Sequence, residues 1–422
     1  LEFRRVLFRS IELFAGVGGF RVGLENSDKN FFSTVWSNQW EPSTKKQHAS
    51  EVYQNIFGDK GHHNGDINEI PGKKISKHQL LCGGFPCQTF SVMRPKNKAE
   101  GLNGVKGDKG ILFWEIHRIA KEHKTPYLLL ENVDRLLISP GSQKGKDFAV
   151  ILKSLMELNY IVEWRVINAA EYGFPQKRRR TFIFAYQNDS KVKNEVFKEN
   201  SSKKDLLLND LLMSNAFPIN DFDEKKIKET NLTSEIYDIS KDFNIDNKDK
   251  KPFGNCGVAF GGVAYSIVSE PKYNGKYINL KEVLLDEKDI DESFFADDNE
   301  SYNKWEKAKG KIHKERINKV TGEKYIFKGG AIPFPDKLNS PARTIITSEG
   351  GKSASRTTHI IKPNKRLRRL HPIELERLNG FPDNHTLLDG VSNVKRGFLM
   401  GNALVTGVVT TFGNTLKDFL KK

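Results

Sequence analysis

Short apolar segments alternate with amphipathic helical segments from residue 11 to residue 187, and this alternation constrains the fold more than any other feature. The runs IELF, FSTVWSN, LLCGGF and PYLLLEN are typical of buried strands, since each leads into a glycine, asparagine or proline. Between such runs, ILFWEIHRIAKEH and DFAVILKSLMELN place their apolar residues at helical spacing. The alternation predicts an α/β fold with a doubly wound, mostly parallel sheet.

The composition changes after residue 187. Residues 188–363 are rich in lysine, aspartate and asparagine, and their glycines cluster in GNCGVAFGG and GGAIPFP. In RLHPIELERLNGF the sequence returns to helix, with Pro372 in the first turn and Gly380 at the end, and GNALVTGVVTTFGNTLKDFL ends the chain as an apolar helix. We therefore predict one domain formed by residues 11–187 and 364–422, interrupted by a smaller loop-rich domain at 188–363.

The first ten residues are treated separately. LEFRRVLFRS runs abruptly into IELFAGVGGF, and RVLFRS resembles translated sequencing-adapter read-through. We interpret residues 1–10 as non-native and exclude them from functional inference. Their backbone can still extend the first strand.

Charge and cysteine content narrow the class of protein. The chain has 68 lysines and arginines against 53 acidic residues, a net charge of +15 that favours polyanionic partners such as nucleic acid. No apolar run reaches the roughly 18 residues of a spanning helix, and no signal-peptide pattern opens the sequence. Three cysteines without a CxxC pair indicate neither a disulfide framework nor zinc. We expect a cytoplasmic protein without metal or membrane contact.

Two motifs follow predicted strands directly. Glycines in FAGVGGF allow positive φ and close approach of a ligand, but the third glycine of a dinucleotide fingerprint is missing, so a cofactor loop and an ordinary tight turn both stay open. Cys87 in GGFPCQTFS lies where doubly wound folds bind ligands, and its thiolate would be a nucleophile. The alternative is a buried packing cysteine, which is our interpretation of Cys82 and Cys256.

Charged residues flank two further strands. Glu131 ends PYLLLE and is either a proton donor or a solvated acid at the end of a strand. In QKRRRTFIF, strand alternation would place Arg178 and Arg180 on one face and Arg179 on the other. A basic run is otherwise a solvated surface.

Taken in order, the motifs FAGVGGF, SNQW, GDI, GGFPCQTFS, GDKGILFWEIHRI, ENV, QKRRR, RLNGFP and GNA resemble the C5-cytosine DNA methyltransferases. The resemblance covers residues 11–187 and 364–422. It implies the fold of the S-adenosylmethionine-dependent methyltransferases and methyl transfer to C5 of a cytosine flipped out of double-stranded DNA. It also implies that residues 188–363 form the variable target-recognition domain.

The resemblance assigns catalytic roles to four residues. Cys87 matches the nucleophile that attacks C6 of the cytosine, and Glu131 matches the acid at N3 of the ring. Arg178 and Arg180 match the pair that orients the base and supports the acid.

The resemblance also assigns the pocket for S-adenosyl-L-methionine. Trp40 matches the residue that stacks on adenine, and Gln39 stands where the family has an acid for the ribose hydroxyls. Residues 91–110 match a loop that closes over flipped DNA, with Lys109 where arginine is common. The remaining pocket positions are Phe14, Ala15, Gly16, Gly18 and Gly19 in the methionine-binding turn, Asp66 and Ile67 at the adenine edge, and Pro86, Leu112 and Asn402.

Three alternatives stay open beside this function: a tRNA cytosine-5 methyltransferase, a catalytically silent DNA-binding relative, and a nucleic-acid-binding module explained by charge alone. The first branch typically carries a CFT tripeptide, which this chain lacks. We expect a monomer that functions beside a cognate restriction endonuclease. Base-reading candidates lie in Gly254–Gly262 and Ser340–Thr358, with Arg343 and Arg356 as the cations.

Overall fold

The computed structural model describes residues 7–85, 111–197, 201–296, 298–317 and 322–422. The chain divides into two compact units. The first comprises Leu1–Tyr172, Arg179–Gly275 and Thr406–Lys422, and the second comprises Gly173–Arg178 and Lys276–Val405. These bounds differ from the predicted division, because residues 188–275 belong to the first unit and residues 364–405 to the second.

The first unit is built on one large sheet. In chain order its strands are β1 (Phe8–Leu13), β2 (Phe32–Asn38), β3 (His62–His63), β4 (Leu80–Gly84), β5 (Tyr127–Val133), β6 (Tyr160–Asn168), β7 (Arg179–Gln187), β8 (Lys228–Asn231), β9 (Cys256–Phe260) and β10 (Val263–Ile267). Across the described residues the strand order is β3-β2-β1-β4-β5-β7-β6-β9-β10-β8. The first five strands in that order are parallel, and every later pair is antiparallel. The predicted α/β class is confirmed.

Helices cover this sheet and form part of the second unit. In chain order they are α1 (Gly19–Asp28), α2 (His48–Phe57), α3 (Ile111–His123), α4 (Lys146–Glu157), α5 (Lys191–Val196), α6 (Lys203–Asp205), α7 (Leu212–Ala216), α8 (Ile236–Asp242), α9 (Asn299–Lys309), α10 (Pro372–Leu378), α11 (Asn393–Asn402) and α12 (Thr406–Lys421). Gly23 lets α1 and α12 pack closely, since a Cβ there would lie 2.5 Å from Cβ of Val409. Within the described ranges, no helix combines the length and apolarity needed to cross a membrane.

The antiparallel end of the sheet was not predicted. The segment GNCGVAFGG, expected in a loop-rich domain, forms β9 and turns into β10 through Gly261 and Gly262, whose φ values are 57° and 80°. Positive φ at both residues suits a tight hairpin. A Cβ on Gly257 would lie 2.1 Å from the Trp164 ring, so this glycine is needed for packing against β6. The glycines of the segment GNCGVAFGG therefore allow the hairpin and the close strand packing of the sheet in the first unit.

In its described residues, the second unit contains two short antiparallel sheets and three of the helices. Its strands are β11 (Ile312–Ile317), β12 (Lys324–Gly329), β13 (Ile360–Ile361) and β14 (Arg368–Arg369). The buried Arg368 guanidinium donates to both carboxylate oxygens of Glu374, at 2.8 and 2.7 Å, which satisfies the two charges together. Pro372 begins α10 and Gly380 follows it with φ of 76°, as the sequence predicted.

Candidate active site

The glycine-rich turn after β1 has the backbone conformation that its sequence predicted. Gly16 and Gly18 have φ values of 56° and 87°, and Phe14 also has a positive φ, of 55°. Gly18 caps α1, which starts at the buried Gly19. A Cβ placed on Gly16 would meet no atom within 4 Å, so a ligand can approach the main chain here.

Gln39 holds this turn in place from the carboxyl end of β2. Its side-chain oxygen Oε1 accepts a hydrogen bond of 2.7 Å from the Gly16 N–H. The Ala15 N–H donates to the Asn38 carbonyl at 2.9 Å, which ties the same turn to β2. The amide oxygen expected to face the ribose hydroxyls therefore fixes the turn.

Glu12 is a residue of this site that sequence reasoning missed. Its side chain lies inside β1 with 1% exposure, and Oε1 accepts a hydrogen bond of 2.9 Å from the Phe20 N–H at the start of α1. Burial raises the pKa of this carboxyl group to about 8. Oε2 has no hydrogen-bond partner in the described part of the chain. The sequence signal was an acid inside the apolar run IELF, directly before the turn.

The expected adenine-binding positions lie at the end of β2 and in the turn after β3. Trp40 is 39% exposed, so its indole ring is accessible. The Asn38 side chain donates to the carbonyls of His63 and Gly65, at 3.1 and 2.8 Å, and so fixes the backbone just before Asp66. Asp66 itself accepts from the Asn68 N–H at 2.9 Å. Ile67 is buried in the core, and the partly buried Leu112 packs against that core.

Glu131 and Arg180 form an ion pair. Glu131 lies on β5 and Arg180 on β7, and Nε of the arginine is 2.9 Å from Oε1 of the glutamate. Glu131 pairs with Phe182 and Val133 pairs with Arg180, so the ion pair runs diagonally across the ladder on one face of the sheet. Both side chains remain partly accessible. The structure thus brings two of the predicted catalytic residues together.

The strand that leads to Cys87 is fixed beside this ion pair. Gly84, at the end of β4, lies next to Glu131 in the parallel register, and a Cβ on Gly84 would be 3.4 Å from Oε2 of Glu131. The buried Asn132 side chain donates to the Phe85 carbonyl at 2.9 Å. Pro86, Cys87 and the predicted loop 91–110 follow Phe85 and lie outside the described residues.

Arg178 belongs to the second unit and is a buried link within it. Its guanidinium donates to the carbonyls of Ile345 and Gly401, at 3.0 and 3.1 Å, and the residue is 3% exposed. The expectation that Arg178 shares one strand face with Arg180 is wrong, because β7 begins only at Arg179. Asn402, the last residue of α11, also lies in the second unit and is exposed.

The two cations expected to read bases are already bound within the second unit. Nε of Arg343 lies 2.6 Å from Oδ1 of the buried Asp336. The Arg356 guanidinium donates to the Gly310 carbonyl at 2.6 Å and to the Gly330 carbonyl. Both side chains therefore stabilise the fold of this unit.

The buried cysteines contrast with the predicted nucleophile. Burial raises the pKa of both the Cys82 and the Cys256 thiols, which keeps them protonated and unreactive. Both residues are free of disulfides. This agrees with the interpretation of these two residues as packing cysteines.

Comparisons with known proteins identify the family of this chain. The sequence profile of the family described as "C-5 cytosine-specific DNA methylase" matches residues 8–418. The Type II methyltransferase M.Sau3AI of Staphylococcus aureus is 43% identical over 410 residues, which cover 96% of this chain and 95% of that protein. The Type II methyltransferase M.HhaI of Haemophilus parahaemolyticus is 37% identical over 206 residues, which cover 48% of this chain and 57% of that protein.

Solved structures show the same fold. The Dnmt2 methyltransferase of S. pombe superposes with a TM-score of 0.57 at 16% identity, over 98% of this chain and 99% of that one. The Entamoeba histolytica methyltransferase EhMeth superposes with a TM-score of 0.57 at 17% identity, over 99% of this chain and all of that one. Because the family profile spans nearly the whole chain, this protein belongs to the C-5 cytosine-specific DNA methylase family and is a DNA (cytosine-5-)-methyltransferase.

Proposed function

We propose that the chain methylates C5 of a cytosine flipped out of a specific site in double-stranded DNA, with Cys87 as the nucleophile. The observation that carries this proposal is the Glu131–Arg180 ion pair beside Gly84, three residues before Cys87. The hydrogen bond from Asn132 to the Phe85 carbonyl fixes the end of the segment that delivers the cysteine. An acid, its cation and the strand end that precedes Cys87 in the sequence thus share one edge of the sheet.

The residues at the carboxyl ends of β1 and β2 fit S-adenosyl-L-methionine. This cofactor supplies the methyl group from a sulfonium centre. The open turn at Gly16 and the accessible indole ring of Trp40 provide, respectively, a main-chain surface and a stacking surface. Gln39 fixes this turn by accepting a hydrogen bond from the Gly16 N–H. Glu12 fixes the start of α1 by accepting a hydrogen bond from the Phe20 N–H.

Each residue has a defined role in the proposed reaction. The Cys87 thiolate forms a bond from sulfur to C6 of the ring, which moves electron density to C5. Glu131 donates a hydrogen bond or a proton at N3 and so offsets the charge that develops on the ring. Arg180 holds the Glu131 carboxyl group in position. After C5 has accepted the methyl group, its proton passes to water, the sulfur–C6 bond breaks with its electron pair returning to sulfur, and N3 returns any proton to Glu131, which regenerates the aromatic base and the thiolate.

The buried position of Arg178 supports a narrower role than the one the family resemblance implies. Its two bonds to the Ile345 and Gly401 carbonyls join distant segments of the second unit. We assign it as a positioning residue for the segment Gly173–Arg178, which directly precedes β7. Arg180 then remains as the arginine beside the acid.

Substrate and partner follow from the relatives. M.Sau3AI and M.HhaI both carry the name Type II methyltransferase, which supports double-stranded DNA as the substrate and a restriction-modification setting. The extent of the match to M.Sau3AI favours DNA over tRNA. We assign target recognition to residues 188–363 and expect a cognate restriction endonuclease.

Bisulfite sequencing of DNA from a methylation-free host that expresses the chain tests this proposal. The wild type is expected to produce methylcytosine at one short motif, and Cys87→Ser is expected to produce none because a hydroxyl is a poor nucleophile at neutral pH. Cys82→Ala is the matched control and should retain the pattern. Unchanged methylation by Cys87→Ser, or absence of methylcytosine with the wild type, would contradict the proposal.

A further inference from the structure

A two-stranded hairpin in the second unit is exposed on both faces. It consists of β11 and β12, paired in antiparallel register from Ile312 opposite Gly329 to Ile317 opposite Lys324. Large apolar side chains reach solvent, including Ile317 at 61% and Ile326 at 56% exposure. An isolated two-stranded hairpin is only marginally stable in water. Its exposed surface therefore calls for a partner that covers it.

The two faces of the hairpin differ in chemistry. Residues directly opposite each other share a face, so Lys314 and Phe327 lie beside Arg316 and Tyr325. The Arg316 guanidinium lies 4.0 Å from the centre of the Phe327 ring. We call these four residues the cationic–aromatic face; it contains no acid.

The opposite face carries a smaller net charge, because its two lysines, Lys324 and Lys328, stand against Glu315. On it Lys324 forms an ion pair with Glu315 at 2.9 Å, and exposed isoleucines surround the pair. Over 311–317 and 322–329 together, five lysines and arginines stand against two glutamates. The excess positive charge therefore concentrates on the cationic–aromatic face, which makes it complementary to a polyanion.

The base of the hairpin is fixed although its faces are exposed. The Arg356 guanidinium donates to the Gly310 carbonyl just before β11 and to the Gly330 carbonyl just after β12, so one side chain clamps both strands. The buried Lys309 amine donates in turn to the Arg356 and Thr358 carbonyls, at 3.2 and 2.5 Å. The hairpin thus projects from an anchored base, which lowers the entropic cost of binding.

We propose that β11 and β12 enter the major groove of the substrate DNA and that Arg316 and Tyr325 on the cationic–aromatic face read base edges there. This inference rests on the proposed function and identifies the element that would select the site. A two-stranded ribbon fits the major groove, where arginine pairs with guanine through two hydrogen bonds and aromatic carbon contacts the thymine methyl group. Lys314 on the same face contacts phosphate, which adds affinity without sequence information.

Selection from a pool of randomised duplexes tests this role without requiring methyl transfer. The purified full-length wild type is expected to enrich a short motif. Arg316→Lys keeps the charge but loses the planar fork, so preference at one or more motif positions should fall by about tenfold or more. Tyr325→Ala should weaken preference at a neighbouring position. Lys324→Gln removes a cation from the opposite face and should leave the motif unchanged.

Each outcome decides the inference. Retention of the wild-type motif by both Arg316→Lys and Tyr325→Ala, or enrichment of no motif by the wild type, would overturn it. If Ile326→Lys instead dissolves a dimer while the motif stays the same, the hairpin joins copies of the chain and the inference also fails. Binding of S-adenosylhomocysteine by each variant verifies that the chain is folded. Enrichment of a motif by the wild type, with loss of that preference in Arg316→Lys but no methylation by the wild type, would count against the proposed reaction and not against the hairpin.

Discussion

Arg180 reaches Glu131 diagonally across the antiparallel ladder of β5 and β7, with 2.9 Å between Nε and Oε1. This pairing depends on the strand order, in which β7 lies between β5 and β6. β7 runs opposite to the parallel strands, so its first residues lie at the same sheet edge as the last residues of β4 and β5. The fold therefore brings Arg180, near the start of β7, next to Glu131, near the end of β5.

Replacement of Glu131 by glutamine should abolish most turnover while DNA binding remains. The amide keeps the shape of the side chain but cannot transfer a proton, and positioned acids typically contribute about 10²- to 10⁴-fold. Arg180→Lys should cause a smaller loss of kcat, because the charge remains and the planar fork is lost. Single-turnover methylation together with duplex binding measures both effects. Arg179→Lys is the matched control, because Arg179 pairs with the exposed Asp134; an equal loss of kcat there would argue against a specific role for Arg180.

Replacement of Trp40 by alanine should weaken S-adenosylmethionine binding by about 1–2 kcal/mol, because an aromatic stacking surface is lost. Since the ring is 39% exposed, thermal stability should change little. Calorimetric titration with S-adenosylhomocysteine provides the measurement. An unchanged affinity for S-adenosylhomocysteine would contradict the assignment of Trp40 to the cofactor pocket.

The hydrophobic pattern of a segment was sufficient to predict a helix or strand where that pattern has one clear period. The predicted segments FSTVWSN and ILFWEIHRIAKEH coincide with β2 and α3, because their hydrophobic periods are unambiguous. Partners distant in sequence were not predictable. Cys256–Phe260 was predicted as part of a glycine-rich loop because its neighbouring strand, β6, lies far away in the sequence. Arg356 was predicted to read bases because its acceptors, the Gly310 and Gly330 carbonyls, are also distant in the sequence.

The sequence predicted which residues lie in the candidate site better than it predicted what each of them contacts. Glu131 and Arg180 lie together as the family resemblance implied, whereas Arg178 bonds to carbonyls of its own unit. The function of Gln39 in the turn depends on the position of the Gly16 N–H, which one sequence cannot show. Glu12 was overlooked because a carboxylate in an apolar run has no distinguishing spacing.

Gln39 provides a test of whether the turn is held by its side chain. Gln39→Met should weaken S-adenosylhomocysteine binding and reduce the free energy of unfolding by about 1 kcal/mol, because the Gly16 N–H loses its acceptor. Gln39→Glu keeps an acceptor and adds charge, so it should bind the cofactor at least as tightly as the wild type. Calorimetry and urea unfolding of both variants decide the matter. Equal behaviour of methionine and glutamate at this position would contradict the role.

Glu12 should make stability depend on pH between about 4.5 and 8. In the unfolded chain this carboxyl group ionises near its ordinary pKa of 4.5, whereas burial raises its pKa to about 8 in the folded chain. In that window the folded state binds more protons, so the free energy of unfolding falls as pH rises, by at most about 1.4 kcal/mol per pH unit. Glu12→Gln removes this slope and should gain stability relative to the wild type from pH 5 to pH 8. Urea unfolding at several pH values measures it, and a constant difference would rule out the raised pKa.

Arg356→Ala should loosen the hairpin while the rest of the second unit stays folded. The substitution removes two charge-assisted bonds to the Gly310 and Gly330 carbonyls, each typically worth about 1.5–3 kcal/mol. Amide hydrogen exchange in β11 and β12 should therefore accelerate at least tenfold, while exchange in α10 stays slow. The enriched DNA motif should weaken at all positions read by the hairpin, because the ribbon is no longer held rigidly.

Arg316→Ala is the control for this last experiment. Arg316 lies on the exposed part of the hairpin, so its removal should change the motif without accelerating exchange in β11 and β12. The opposite pattern, in which Arg356→Ala alters one motif position and leaves exchange unchanged, would mean that Arg356 itself contacts a base. Comparison of the two variants thus distinguishes a residue that holds the base of the hairpin from a residue that contacts DNA bases. Loss of DNA binding alone cannot distinguish these roles.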